Sequence, residues 1–106
     1  MSSIKTQSPI QSNDNTLIVF NDVEDLTHIA KAISSPTRRK ILKFLKNDKL
    51  DVSRIAKKMG QTEANISAQI KILEKAQLIG SEYKSGNHGI RKVCYLTVNK
   101  IEINLA

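Results

Sequence analysis

Apolar positions along this chain change spacing several times, and each change marks an element. Residues 1–15 are rich in Ser, Gln, Asn and Thr and have no period, which predicts a flexible N-terminal arm. Leu17-Ile18-Val19-Phe20 is a β-prone run. From there Val23, Leu26, Ala30 and Ile33 recur at three- and four-residue steps, the mark of one buried helical face. Asn21 is placed to cap that helix, with Glu24 reaching back to it. Ser34-Ser35-Pro36 interrupts the pattern and restarts it: Ser35 caps, and Pro36 suits a first helical position whose N–H has no partner. The second helix buries Ile41, Leu42 and Leu45.

Asn47-Asp48-Lys49 reads as a turn, after which Asp51 caps a helix with its stripe at Val52, Ile55, Ala56 and Met59. Gly60 supplies the left-handed exit. The helical pattern resumes at once, with Thr62 as cap and Ile66, Ile70 and Leu73 facing inward. Two short helices joined by a Gly-containing turn of about three residues form a helix-turn-helix, here over residues 52–75. Beyond Ala76 the period falls to that of strands. Ser81 to Lys84 and Arg91 to Thr97 flank the turn-rich Ser85-Gly86-Asn87-His88-Gly89, which predicts a β-wing over 79–97. Ile101, Ile103 and Leu105 alternate again, so a last strand at 100–105 is expected to pair with 17–20, in the same subunit or across a dimer. The fold class is mainly α with a small β-wing, one domain spanning residues 16–106.

Composition narrows the setting. With 106 residues there is room for one domain, and a chain this short often gains stability by dimerising. No run approaches the ~18 apolar residues of a membrane span. A single cysteine excludes a disulfide scaffold, and Met1 to Thr16 lacks the apolar core of a signal peptide. The net charge is +7, but it is unevenly spread: residues 36–92 hold 14 basic and 5 acidic groups, a local +9. Such a concentration favours a polyanionic partner, while a solvated surface tuned for solubility is the plainer alternative.

Ala32-Ile33-Ser34-Ser35-Pro36-Thr37-Arg38-Arg39-Lys40-Ile41-Leu42 resembles the opening of the second helix in the ArsR-type winged-helix transcriptional regulators. The likeness continues through Leu50-Asp51-Val52-Ser53-Arg54-Ile55-Ala56, the helix from Asn65 to Leu73, the exit Gln77-Leu78-Ile79, and a wing with Gly89 and Arg91. It implies a homodimeric, cytoplasmic regulator that binds double-stranded DNA, with its recognition helix near 63–75. One departure stands out. Metal-sensing members carry paired cysteines early in the third helix, whereas Leu50-Asp51-Val52-Ser53-Arg54-Ile55 holds neither Cys nor His. A thiolate site needs about three or four converging donors, and the chain offers only Cys94, His28 and His88. Neither a metal nor another cofactor is expected, and Cys94 reads as a small buried hydrophobe.

If the helix buries Ile66, Ile70 and Leu73, its other side presents Glu63, Ala64, Asn65, Ser67, Ala68 and Gln69 as candidate base contacts. Asn and Gln pair with both major-groove groups of adenine, and Ala meets the thymine methyl. Gln61, Thr62, Lys71, Arg54, Lys57 and Lys58 are candidate phosphate contacts, Thr62 because it opens a helix N-terminus. The wing adds Lys84, Ser85, Gly86, Asn87, His88, Arg91 and Lys92 for a minor groove or its flanking phosphates. Arg38, just inside a helix start, suits a structural ion pair better than a DNA contact. About four phosphates per subunit would give a dimer a salt slope near −7, with recognition helices about 34 Å apart.

An enzyme is disfavoured because no carboxylate pair beside a histidine, Gly-rich phosphate loop or nucleophile–base pair is recognisable. The alternative class is a winged helix used for protein or RNA contact. Aromatic residues are only 4% of the chain, which weakens the single-stranded RNA version because that mode relies on stacking.

Overall fold

The computed structural model describes residues 8–87 and 89–106. Two three-stranded sheets flank four helices. The elements in chain order are β1 (Ile10–Gln11), β2 (Thr16–Phe20), α1 (Val23–Ile33), α2 (Pro36–Phe44), β3 (Leu50–Asp51), α3 (Val52–Met59), α4 (Glu63–Lys75), β4 (Ile79–Gly86), β5 (Gly89–Leu96) and β6 (Lys100–Asn104). Helices α3 and α4 with the β4–β5 hairpin make a winged helix-turn-helix, as the pattern predicts.

Each helix start in this region has a side-chain cap. Ser35 Oγ accepts from the Arg38 N–H, Asp51 Oδ1 from the Arg54 N–H at 2.8 Å, and Thr62 Oγ1 from the Asn65 N–H at 3.1 Å. Each satisfies a donor that the first turn would otherwise leave open. Gly60 ends α3 at φ +64°, and the chain re-enters a helix three residues later. Helix α4 closes at the first residue of the Gln77-Leu78-Ile79 exit. Gln77 takes the left-handed conformation (φ +64°), and the Leu78 N–H reaches back to the Leu73 carbonyl at 3.1 Å. Gly80 lies inside β4, where a Cβ would sit 2.7 Å from the Tyr95 ring. Its bare backbone is what lets that ring lie across the strand.

The core runs through all four helices and both sheets. Ile41, Ile55, Ile66, Ile70 and Leu73 have no exposed surface, and Val19, Leu45, Leu78 and Cys94 pack among them. The helix-turn-helix stripe is as expected. That of α1 is not: Asp25, Ile29 and Ala32 point inward, while Val23 is 78% exposed and Ala30 is exposed. The helix also begins one residue later than expected: Asp22, not Asn21, caps it, accepting from the Glu24 and Asp25 N–H groups. Asn21 instead donates to the Leu105 carbonyl at 3.0 Å.

The expected terminal pairing forms within the chain. Strands β2 and β6 run parallel in the register Leu17↔Ile101 and Val19↔Ile103. Part of the expected flexible arm is drawn into the same sheet. Ile10–Gln11 pairs antiparallel with β2, Asn15 turns the corner at φ +62°, and Gln11 Nε2 donates to the Thr97 carbonyl at 3.1 Å. The rest of that arm, residues 1–7, lies outside the described residues. The second sheet has the order β3-β5-β4, so the two residues before α3 are stitched to the wing through Leu50↔Cys94 and Asp51↔Val93.

A Cβ added at Gly60 would meet nothing within 4 Å, so only its backbone conformation resists substitution. Gly60→Ala should cost about 1 kcal/mol, read as a lower urea midpoint with an unchanged slope.

Candidate nucleic-acid interface

Burial of Ile66, Ile70 and Leu73 turns the opposite side of α4 to solvent. Gln61, Thr62, Glu63, Ala64, Asn65, Ser67, Ala68 and Lys71 are all exposed, and Gln69 is half-buried. The predicted reading face therefore comes together, with Gln69 at its inner margin. Backbone N–H groups at the start of α4 and the Thr62 cap share this end of the helix.

The amides on this face form a ladder. Gln69 Nε2 donates to Asn65 Oδ1 at 3.3 Å, and Asn65 Nδ2 donates to Gln61 Oε1. Arg38 stands at its inner end. Its Nη1 donates to Gln69 Oε1 at 2.7 Å, its Nε to the Ala32 carbonyl at 3.0 Å, and its Nη2 to the Lys31 carbonyl. The expected structural role holds, but the partners are carbonyls and an amide, not a carboxylate. Arg39 does similar work, donating to the Ile33 carbonyl at 2.6 Å. Between them the two guanidiniums satisfy three carbonyls in the last turn of α1, where cations also suit the helix dipole.

The helical cations and the wing cations differ in their surroundings. Arg54, Lys57 and Lys71 meet no carboxylate within ion-pair distance among the described residues, and Lys58 lies 5.7 Å over the Phe44 ring. Arg54, Lys57 and Lys58 line a cleft of about 450 Å³ together with Lys49. A second cleft, about 520 Å³, runs between the starts of α3 and α4 and the wing, where Arg54 and Glu63 face Ile90, Arg91 and Lys92. On the wing, Lys84 and Arg91 sit opposite each other, but Lys84 is 3.9 Å from Glu82 and Arg91 is 3.2 Å from Asp51. Asp51 thus caps α3 with one oxygen and holds the wing with the other.

Lys92 departs from its expected place as a free wing cation. Its side chain is 24% exposed and bonds Glu74 Oε1 at 2.8 Å, while Glu74 Oε2 takes the Ser81 hydroxyl at 2.8 Å. Pairing across α4 and β5 turns the ammonium inward and makes it a strut between helix and wing. Ser85, Gly86 and Asn87 are exposed at the tip, and His88 lies outside the described residues. No three His, Cys, Asp or Glu side chains converge on a metal-sized space among the described residues. Cys94 is fully buried, and burial pushes its thiol up from the ordinary 9.0, away from the thiolate form. Nor is any helix among the described residues long and apolar enough to cross a membrane.

Comparisons with known proteins agree with this geometry. The family profile "Bacterial regulatory protein, arsR family" matches residues 35–81, from the cap of α2 into the first wing strand. Transcriptional repressor SdpR of Bacillus subtilis (strain 168) is 38% identical over 61 residues, covering 58% of this chain and 67% of that protein. Among solved structures, the ArsR family transcriptional regulator RHA00566 superposes with a TM-score of 0.59 at 29% identity, over 69% of this chain and 76% of its own. The homodimeric winged helix-turn-helix DNA-binding domain Mb0332 from Mycobacterium bovis shares the fold at a TM-score of 0.61 and 21% identity, over 71% and 66% of the two chains. The fold and its exposed helix face define a winged helix-turn-helix protein. The chain belongs to the arsR family of bacterial regulatory proteins.

The Glu74–Lys92 strut carries a pH signature. Burial pulls the Lys92 ammonium down, but the hydrogen bond and charge of Glu74 outweigh it and hold the group above its ordinary 10.5. Lys92 and Cys94 both keep their protons more tightly in the folded chain than in the unfolded one. Their contribution is complete below the ordinary values of 9.0 and 10.5 and is lost as pH rises past them. Urea midpoints should therefore fall through the alkaline range. Lys92→Met should be less stable than the native chain at neutral pH and lose less stability above about pH 10.

Proposed function

We propose that this chain is a sequence-specific regulator of transcription, a repressor, that reads the major groove of double-stranded DNA with α4 while α3 and the wing contact the flanking backbone. The observation that carries this reading is the pairing of a fully buried stripe on α4 with an exposed face of small and amide side chains, beside cations that no carboxylate among the described residues neutralises. Family membership and the likeness to a repressor support it. Asn65, Ser67 and Ala68 are the base-contact residues, with Glu63 and Ala64 at the helix entry and Gln69 at the inner margin. Gln61, Thr62, Arg54, Lys57, Lys58 and Lys71 take phosphates. Lys84, Ser85, Gly86, Asn87 and Arg91 act from the wing.

The regulator works as a homodimer, which brings two α4 helices to successive major grooves about 34 Å apart. Exposed apolar side chains near the chain ends support this. Val23 is 78% and Leu105 69% exposed, and the Asn21–Leu105 hydrogen bond brings these two segments together. Ile10 and Ile103 are exposed on the flanking strands.

Selection from a random duplex pool should return a two-fold symmetric site. Asn65→Ala should lose about 1–3 kcal/mol of discrimination at one base pair of each half-site. Lys57→Ala should weaken all sequences alike and reduce the salt slope by about 1 per subunit. A pool without enrichment, or affinity indifferent to salt, would refute the reading. For the dimer, Val23→Asp should raise the dissociation constant at least about tenfold, near 1.4 kcal/mol, by sedimentation equilibrium; unchanged mass would exclude this surface.

A further inference from the structure

An amide side chain has two faces, an oxygen that accepts and a nitrogen that donates, and which one meets the DNA decides what it reads. At Gln69 that choice is made from inside the protein. Guanidinium has five donors and no acceptor, so the atom 2.7 Å from Arg38 Nη1 has to be the amide oxygen. The remaining order follows by elimination. With its oxygen turned toward Arg38, Gln69 offers nitrogen to Asn65, which must answer with Oδ1, leaving Asn65 Nδ2 for Gln61 Oε1. Burial decreases along the ladder, from half-buried Gln69 to exposed Asn65 and Gln61.

We propose that Arg38 is a specificity-determining positioning residue: by holding the Gln69 oxygen it directs the amide ladder so that α4 offers N–H donors to the duplex. This inference rests on the DNA-reading function above. It also alters what that function selects. Bidentate reading of adenine needs one donor and one acceptor from the same amide, for N7 and N6–H₂. Gln69 turns its oxygen inward to Arg38 and keeps one N–H beyond the one used by Asn65. The matching edges are those made of acceptors, guanine O6 and N7 or thymine O4. Arg38 touches no base in this scheme. It acts 31 residues away in sequence from the side chain it orients.

The experiment is duplex-pool selection with the full chain and three variants, each checked for folding by its melting transition. The native chain should enrich guanine or thymine opposite Gln69. Arg38→Met frees the Gln69 oxygen and should shift that one position toward adenine by at least about fivefold, with the salt slope unchanged. Arg38→Lys, still a donor without an acceptor, should restore the native preference. Gln69→Glu keeps a partner for Arg38 but removes the outward donor, so it should lose the guanine or thymine preference even if Arg38→Met does not fold. An enriched site that keeps its native base preference in folded Arg38→Met, or in Gln69→Glu, would overturn this inference alone. A native pool with no enriched sequence would overturn the DNA-reading function and this inference with it.

Discussion

Three side chains, Ile66, Ile70 and Leu73, fix the roll of α4 about its own axis. All three have no exposed surface. Turning the helix by one residue, about 100°, would bring them into water at about 1.5–3 kcal/mol each. No polar contact on the outer face approaches that sum, so the inner stripe dictates which residues look outward. Asn65, Ser67 and Ala68 are exposed as a result of what lies on the other side of the helix. The Thr62 cap and the left-handed Gly60 then set where the helix begins, and with it which residues stand at its positive end.

The charge distribution has a division of labour that the overall +7 conceals. Among the described residues, cations on α3 and α4 are left without carboxylate partners, whereas those of the wing are engaged by Asp51, Glu74 and Glu82. Exposed pairs such as Lys84–Glu82 contribute little to stability. The Arg91–Asp51 and Lys92–Glu74 contacts matter more for direction, since they tie the wing to the start of α3 and to the last turns of α4. The hairpin is thereby held at a set inclination to the helix-turn-helix.

Local chemistry was readable from the sequence, and tertiary pairing was not. Ser35, Asp51 and Thr62 declare helix starts through side chains that act within a few residues, Gly60 declares a helix end through its backbone, and each stands where the pattern predicts. The stripe of α4 was legible for the same reason, being a single period over two turns. In α1 the predicted series Val23-Leu26-Ala30-Ile33 runs one residue behind the buried Asp25-Ile29-Ala32, and only contact with the other elements chooses between them. Strands β1 and β3 are two residues long, too short for any period. Among the site residues, Asn65, Ser67 and Ala68 followed from the stripe. The fate of Gln69 depended on Arg38, and that of Lys92 on Glu74, partners distant in sequence that no spacing reveals.

The parallel union of β2 and β6 has a mechanical side. Thr16 lies beside Lys100 and Phe20 beside Asn104, so the chain enters this pair at one end and leaves it at the other. Tension applied through the two termini pulls the neighbouring strands lengthwise past each other. The hydrogen bonds of a parallel ladder, evenly spaced along its length, then share the load together instead of opening one at a time like a zip. The short β1 can peel away first, but the winged unit behind β2 and β6 stays latched until the whole row gives way.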